Sequence, residues 1–152
     1  MPHRRRTWFL VADAAQARIF AQDNPKERLV GVDEAVFHNP DTSHHSRELG
    51  SDRPARSFES VGKARHAIEP KHDPRRAAAA NFAREIARFV EQKAIEKSYD
   101  RLVVVAPPHM LSDLRKALGE KAKALLVAEV DKDLTKIPVH DLPGHLESAI
   151  PL

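Results

Sequence analysis

No cysteine occurs among the 152 residues. A disulfide framework, a thiolate metal site and a cysteine nucleophile are therefore excluded, which agrees with a reducing cytoplasm. Long apolar runs are missing too. The run at Trp8-Phe9-Leu10-Val11-Ala12 stops at Asp13 after five residues. A secretory core needs about 7–15, and a membrane span about 20. Arg4-Arg5-Arg6 ahead of that run imitates a signal peptide, even a twin-arginine one. The short run argues against export, so a cytoplasmic location without membrane insertion is expected. Charge of one sign is also scarce: 25 basic residues face 22 acidic ones, a net +3. That excess is too small for a general nucleic-acid binder, so clustering has to carry any electrostatic role. No internal repeat is visible.

What is present is one ordinary domain's worth of chain. At this length a domain hides about 68–70% of its unfolded surface, enough for a core without staples. Thr7 to Ala12 is short, apolar and bounded by charge, as in a strand buried on both faces. Asp13-Ala14-Ala15-Gln16 can turn. Ala17 to Gln22 alternates, with Ala17, Ile19 and Ala21 on one side and Arg18, Phe20 and Gln22 on the other, which predicts a half-buried strand. Asn24 and Pro25 mark a turn. Leu29 to His38 is a third strand, with Val30, Val32 and Val36 on one face and Gly31 marking a bulge or a close approach. Short turns make these three an antiparallel meander.

Beyond residue 73 the periodicity changes. Asp73 can cap a helix that begins at Pro74 and runs to about Ser98. Phe82, Ile86, Phe89, Val90 and Ala94 form its buried stripe. Arg101 to Ala106 is a buried strand ended by Pro107-Pro108. A short helix with Met110, Leu111, Leu114 and Leu118 inward follows, with Gly119 as its stop. Leu125 to Val130 is a last strand, and a C-terminal helix carries Leu142, Leu146 and Ile150. The order β-β-β-α-β-α-β-α predicts an α/β fold, a mixed five-stranded sheet flanked by helices. Its helix-linked strands should be parallel. This is the element order of ribonuclease H-like folds. One domain over residues 7–150 is expected, with a long loop over 39–73 inside it.

The stretch Asn39–Arg76 has almost no apolar periodicity. It holds eight Lys/Arg against six Asp/Glu, with His44, His45, His66 and His72. Histidine protonation near pH 6 would make it clearly cationic. A run this long without periodicity inside a compact domain is uncommon and usually functional or disordered.

Four segments carry a family pattern: Val11-Ala12-Asp13-Ala14-Ala15-Gln16-Ala17-Arg18-Ile19-Phe20, Asp52-Arg53-Pro54-Ala55-Arg56-Ser57-Phe58-Glu59-Ser60-Val61-Gly62, Ala106-Pro107-Pro108-His109-Met110-Leu111-Ser112-Asp113-Leu114-Arg115, and Lys132-Asp133-Leu134-Thr135-Lys136-Ile137-Pro138. Together they resemble the bacterial host-attachment protein family, over about residues 7–150. That family is similar in turn to the central domain of archaeo-eukaryotic peptide-chain release factors. There, a Gly-Gly-Gln loop ahead of the long helix enters the peptidyl-transferase centre. The corresponding place here is the 39–76 stretch, whose glycines, Gly50 and Gly62, stand alone. The resemblance thus implies neither a catalytic glutamine nor peptide release by that route.

Three functional readings follow. The first is a non-enzymatic protein that contacts RNA or the ribosome. Arg53, Arg56, Lys63 and Arg65 would meet phosphates, and Phe58 or His66 would stack on a base. The bland counterpart is a solvated loop of mixed charge. The second is a metal-dependent nuclease, because ribonuclease H-like enzymes gather carboxylates around metal ions. Asp13 at the end of the first strand, Glu85 on the long helix, and Asp113 or Asp131 near later strand ends are its candidates. The third is a protein-interaction module that affects attachment through other proteins. A histidine metal site is disfavoured, since His44 and His45 are adjacent and His66 and His72 are six apart, unlike zinc-ligand spacings. His109 stands at a strand's carboxyl end, where ligands often bind, or simply caps the next helix. Ser112-Asp113 has no tie to a histidine and is not a triad. No cofactor is expected, and the sequence specifies no oligomeric state.

Overall fold

A computed structural model describes residues 5–24, 26–40 and 73–147. The loop candidates Arg53, Arg56, Phe58, Lys63, Arg65 and His66 lie outside these residues, as do His44, His45, His72, Arg4, Pro25 and Ile150. The strands are β1 (Thr7–Ala12), β2 (Gln16–Gln22), β3 (Val30–His38), β4 (Arg101–Ala106) and β5 (Leu126–Asp131). The helices are α1 (Pro74–Ile95), α2 (Pro108–Ala117), α3 (Glu120–Leu125) and α4 (Leu142–Leu146), the last preceded by a 3₁₀ turn at Val139–Asp141.

The five strands form one sheet in the order β3-β2-β1-β4-β5. β1 runs antiparallel to β2, and β2 to β3. β1 and β4, and β4 and β5, are parallel. This is the expected mixed five-stranded α/β architecture of the ribonuclease H-like kind. β1 and β4 are central, and so continuously apolar; five of the six β4 residues and all six of β1 are buried.

Alternation along the strands feeds two cores. Trp8, Leu10, Ala12, Ala17, Ile19, Leu102, Val104 and Ala106 point to one face, where α1, α2 and α3 lie over them. Phe9, Val11, Phe20, Val103, Val105 and Val130 point to the other, under Leu134, Leu142 and Leu146. β2 therefore buries residues on both faces, more than the half-buried strand expected. Trp8 stacks on Tyr99 at 4.7 Å, and Phe89 meets Phe37 edge-on at 5.4 Å. The Tyr99 hydroxyl donates to the Val90 carbonyl at 2.9 Å.

α1 begins as its residues dictate. The Asp73 carboxylate accepts from the Arg75 amide at 3.0 Å, and Pro74 takes the first helical position. Phe82, Ile86, Val90 and Ala94 are buried, together with the small residues Ala79, Ala83 and Ala87. The helix closes at Ile95, three residues before the expected end. Lys97 adopts φ 62° there. The Lys97 amide donates to Ala94 and the Ser98 amide to Lys93, the paired bonds of a Schellman close.

Two sequence expectations are corrected, and one alternative is resolved. Val30, Val32 and Val36 do not share a face. Pairing passes from Arg18↔Val36 to Phe20↔Gly31, so β2 advances two residues while β3 advances five. The odd difference of three swaps the faces of β3. Ala35 becomes its buried residue, and Val36 is 52% exposed on the opposite side. Gly31 belongs to this bulge and not to a close approach, since a Cβ there would meet nothing within 4 Å. Nor does Gly119 end α2 in a left-handed turn. At φ −80° it begins the additional helix α3, and a Cβ there would come within 2.5 Å of the Glu91 carboxyl carbon.

Candidate functional site

β1, β4 and β5 are parallel, and two antiparallel steps bring β3 into the same direction. All four therefore end at one edge, the usual ligand-binding edge of an open α/β sheet. The described chain also leaves for, and returns from, the 41–72 stretch at this edge. On the leaving side Asn39 is buried. Its amide donates to Ala15 at 2.8 Å, and its side-chain nitrogen to the carbonyls of Ala14 at 3.1 Å and Ala78 at 3.3 Å. One residue thus binds the β1–β2 turn to the first turns of α1. On the returning side, after the Asp73 cap, Arg76 forks onto Asp113 of α2 at 2.7 and 3.0 Å. The Asp113 carboxylate holds the Arg76 guanidinium above its ordinary pKa, against the opposing effect of burial.

Asp13 follows the last residue of β1. Its Oδ1 accepts from the Ala15 and Gln16 amides, both at 2.8 Å. Its Oδ2 lies 3.0 Å from Thr135 Oγ1, which is also 2.7 Å from Asp133 Oδ1. One hydroxyl proton can serve only one of these carboxylates. Asp13 thus makes the β1–β2 turn and fastens the 133–135 segment to it. Asp113 is committed to Arg76, and Glu85 is exposed on α1. Among the described residues no group of three or more His, Asp or Glu side chains is placed to hold a metal ion. Asp131 is exposed at the end of β5. His109 is exposed within the first turn of α2, and Pro107, not His109, holds the cap position.

Beside this edge lies an open groove of about 490 Å³, lined by Gln16, Ala17, Arg18, Val36, His38 and the 135–138 segment. The register explains it. Gln16 pairs with His38 and Arg18 with Val36, so these four side chains share one face, on the side away from α1. The 135–138 segment forms the wall. Arg18 donates to the Thr135 carbonyl at 3.2 Å and lies 5.0 Å from the Phe20 ring centroid. Arg18, His38 and Lys136 supply three basic groups, and among the described residues no carboxylate lines the groove. Sequence reasoning missed all three. Arg18 and His38 were legible only as polar positions on strands. Their meeting depends on the register that follows the bulge in β3, which Gly31 hints at but does not fix. A second groove, between α1 and the α2–α3 junction, is lined by Arg84, Arg88 and Glu91. There the Glu91 carboxylate accepts from the Ala122 amide at 2.9 Å and the Lys121 amide at 3.3 Å.

The fold and this edge define a small α/β protein of the ribonuclease H-like kind, with its polar groups gathered where the 41–72 stretch departs and returns. The chain belongs to the family described as protein required for attachment to host cells, whose model matches residues 8–146. A search of curated proteins found no match. Among solved structures, the type II variant of the Aquifex aeolicus Ppx/GppA phosphatase is similar at 14% identity and a TM-score of 0.35. The match covers 83% of this chain and 35% of that one. Among the described residues no helix is long and apolar enough to cross a membrane.

Proposed function

We propose that this host-attachment-family chain is a non-enzymatic, RNA- or ribosome-associated protein of the cytoplasm, and that the Asn39–Arg76 stretch makes the contact. Attachment to host cells is then an indirect consequence. The observation that carries the reading is the anchoring of that stretch. Asn39 and Arg76 bind its two ends to the carboxyl edge, next to a groove that, among the described residues, is lined by three basic groups and no carboxylate. The stretch carries eight Lys/Arg, which suits a polyanion, because long cationic side chains match phosphates without demanding one geometry. In this reading Arg53, Arg56, Lys63 and Arg65 meet phosphates, and Phe58 and His66 stack on bases. The resemblance to release-factor central domains points the same way, toward the ribosome. It brings no catalytic glutamine.

The test is co-sedimentation with bacterial ribosomes on a sucrose gradient, comparing the full chain with one lacking residues 41–71. The full chain should travel with ribosomes and be released by salt, and the shortened chain should stay at the top. Both remaining at the top would overturn the reading. So would divalent-ion-dependent cleavage of nucleic acid that Asp13→Asn abolishes.

A further inference from the structure

The groove beside the carboxyl edge belongs to no assigned site. Its three basic groups come from three separate segments: Arg18 from β2, His38 from β3 and Lys136 from the chain after β5. Arg18 is held in place by the Thr135 carbonyl and by the Phe20 ring. It is therefore ordered before any ligand arrives, and little freedom remains to be lost on binding. Its guanidinium keeps further donors for an anion. His38 and Lys136 are exposed at the rim. The nearby carboxylates of Asp13 and Asp133 are turned to Thr135 Oγ1 and to backbone amides, and they do not line the groove. Val36, 52% exposed, with Ile137 and Pro138, gives the groove apolar surface beside these cations. Cations together with exposed apolar side chains suit a ligand that has both phosphates and flat apolar surfaces. A volume of about 490 Å³ is of nucleotide size.

We propose that this groove is a binding site for single-stranded RNA, with Arg18, His38 and Lys136 on successive phosphates and a base over Val36. The assignment rests on the RNA reading above and places part of the contact on the folded body. His38 directly precedes Asn39, the first residue of the basic stretch.

The experiment is fluorescence anisotropy of a labelled 12-nucleotide RNA with the full chain, titrated with salt. Wild type is compared with Arg18→Gln and with the rim double variant His38→Glu/Lys136→Glu; thermal unfolding confirms that each is folded. The rim variant should lose tenfold or more in affinity, and Arg18→Gln severalfold. The slope of log affinity against log salt should fall by about 0.7 for each phosphate contact removed. If wild type binds and both variants stay within twofold of it, the groove assignment is overturned while the RNA reading stands. If wild type fails to bind the strand and fails to travel with ribosomes, both fall. Adenosine monophosphate binding as tightly as the strand, with the same loss in the variants, would overturn the strand in favour of a small-ligand pocket.

Discussion

The two faces of the sheet are covered differently. On one, three helices bury more than twenty residues around Trp8, Ile86 and Leu114, and the aromatic rings of Trp8, Phe37, Phe89 and Tyr99 touch one another. On the other, among the described residues, a 3₁₀ turn and the short helix α4 lie over a smaller core that draws on β1, β2, β4 and β5. The edge strand β3, with Gln16 and Arg18 at the start of β2, keeps an open strip there, and that strip is the groove. Stability should therefore come mainly from the helical face, while the thinly covered face carries the groove proposed above as an RNA site. Neither role follows from composition, since both faces of β1 are equally apolar.

Truncating one fully buried residue on each face is the largest test. Ile86 and Leu142 are both 0% exposed. Ile86→Ala should cost about 3–4 kcal/mol, because α1 is clamped along its length and cannot fill the cavity. Leu142→Ala should cost about 2 kcal/mol, near the lower end for such changes, because a five-residue helix can settle inward. Urea midpoints at unchanged m give both values. Equal costs would break the comparison.

Next in size is the pair that fastens the end of the basic stretch. Arg76→Ala would leave the Asp113 carboxylate, 7% exposed, without its cation. Breaking a buried pair costs about 3–5 kcal/mol. Arg76 is 40% exposed, so solvent reduces this to about 1–2 kcal/mol. Adding Asp113→Leu should recover part of the loss, because no buried charge then remains. If the double variant is no more stable than Arg76→Ala, the cost is lost packing of the arginine stem and not an orphaned carboxylate.

Tyr99 tests the helical face through pH. Burial, with the Glu91 charge behind it, pushes the phenol well above its ordinary range. The folded pKa is thus above the unfolded one, near 10. The stabilisation is fully present below about pH 10 and is lost as pH rises toward the folded value. Tyr99→Phe should cost about 1 kcal/mol at pH 7, the worth of the bond to Val90, and flatten the fall in Tm above pH 10. An unchanged alkaline fall would locate the sensitive group elsewhere.

These contrasts also show which parts of the molecule were legible in the sequence. The caps and buried strands were: Asp73-Pro74 starts α1, and the apolar runs at Trp8 and Leu102 are the central strands. Such features depend on local residue type. Gly31 hinted at a bulge in β3, but the register change it brings was not legible, because both registers satisfy the alternation of valines. That change of three residues exposes Val36 and sets His38 beside Gln16. The groove shares the difficulty, since its three cations are distant in sequence and meet only through pairing. Asp13 is the opposite case. Its position at a strand end was read correctly, but its carboxylate is occupied by the turn and by Thr135, which only geometry could show.

The smallest effect sharpens the comparison most. Lys97 holds φ 62° at the end of α1, a conformation that costs a side-chain-bearing residue about 1 kcal/mol or more and glycine almost nothing. Glycine loses part of this gain through its freer unfolded chain. Lys97→Gly should therefore stabilise by about 0.5–1 kcal/mol, read as a rise in Tm. Lys97 is exposed, so the gain is one of backbone conformation and not of lost packing. The informative readout is amide exchange measured across the whole chain. If the thin cover over Phe9 and Val105 opens on its own, α1 and β4 gain protection while the amides of 139–146 keep their rates. If protection rises everywhere by the same factor, the two faces open as one unit. The contrast between them is then one of shape and not of local stability.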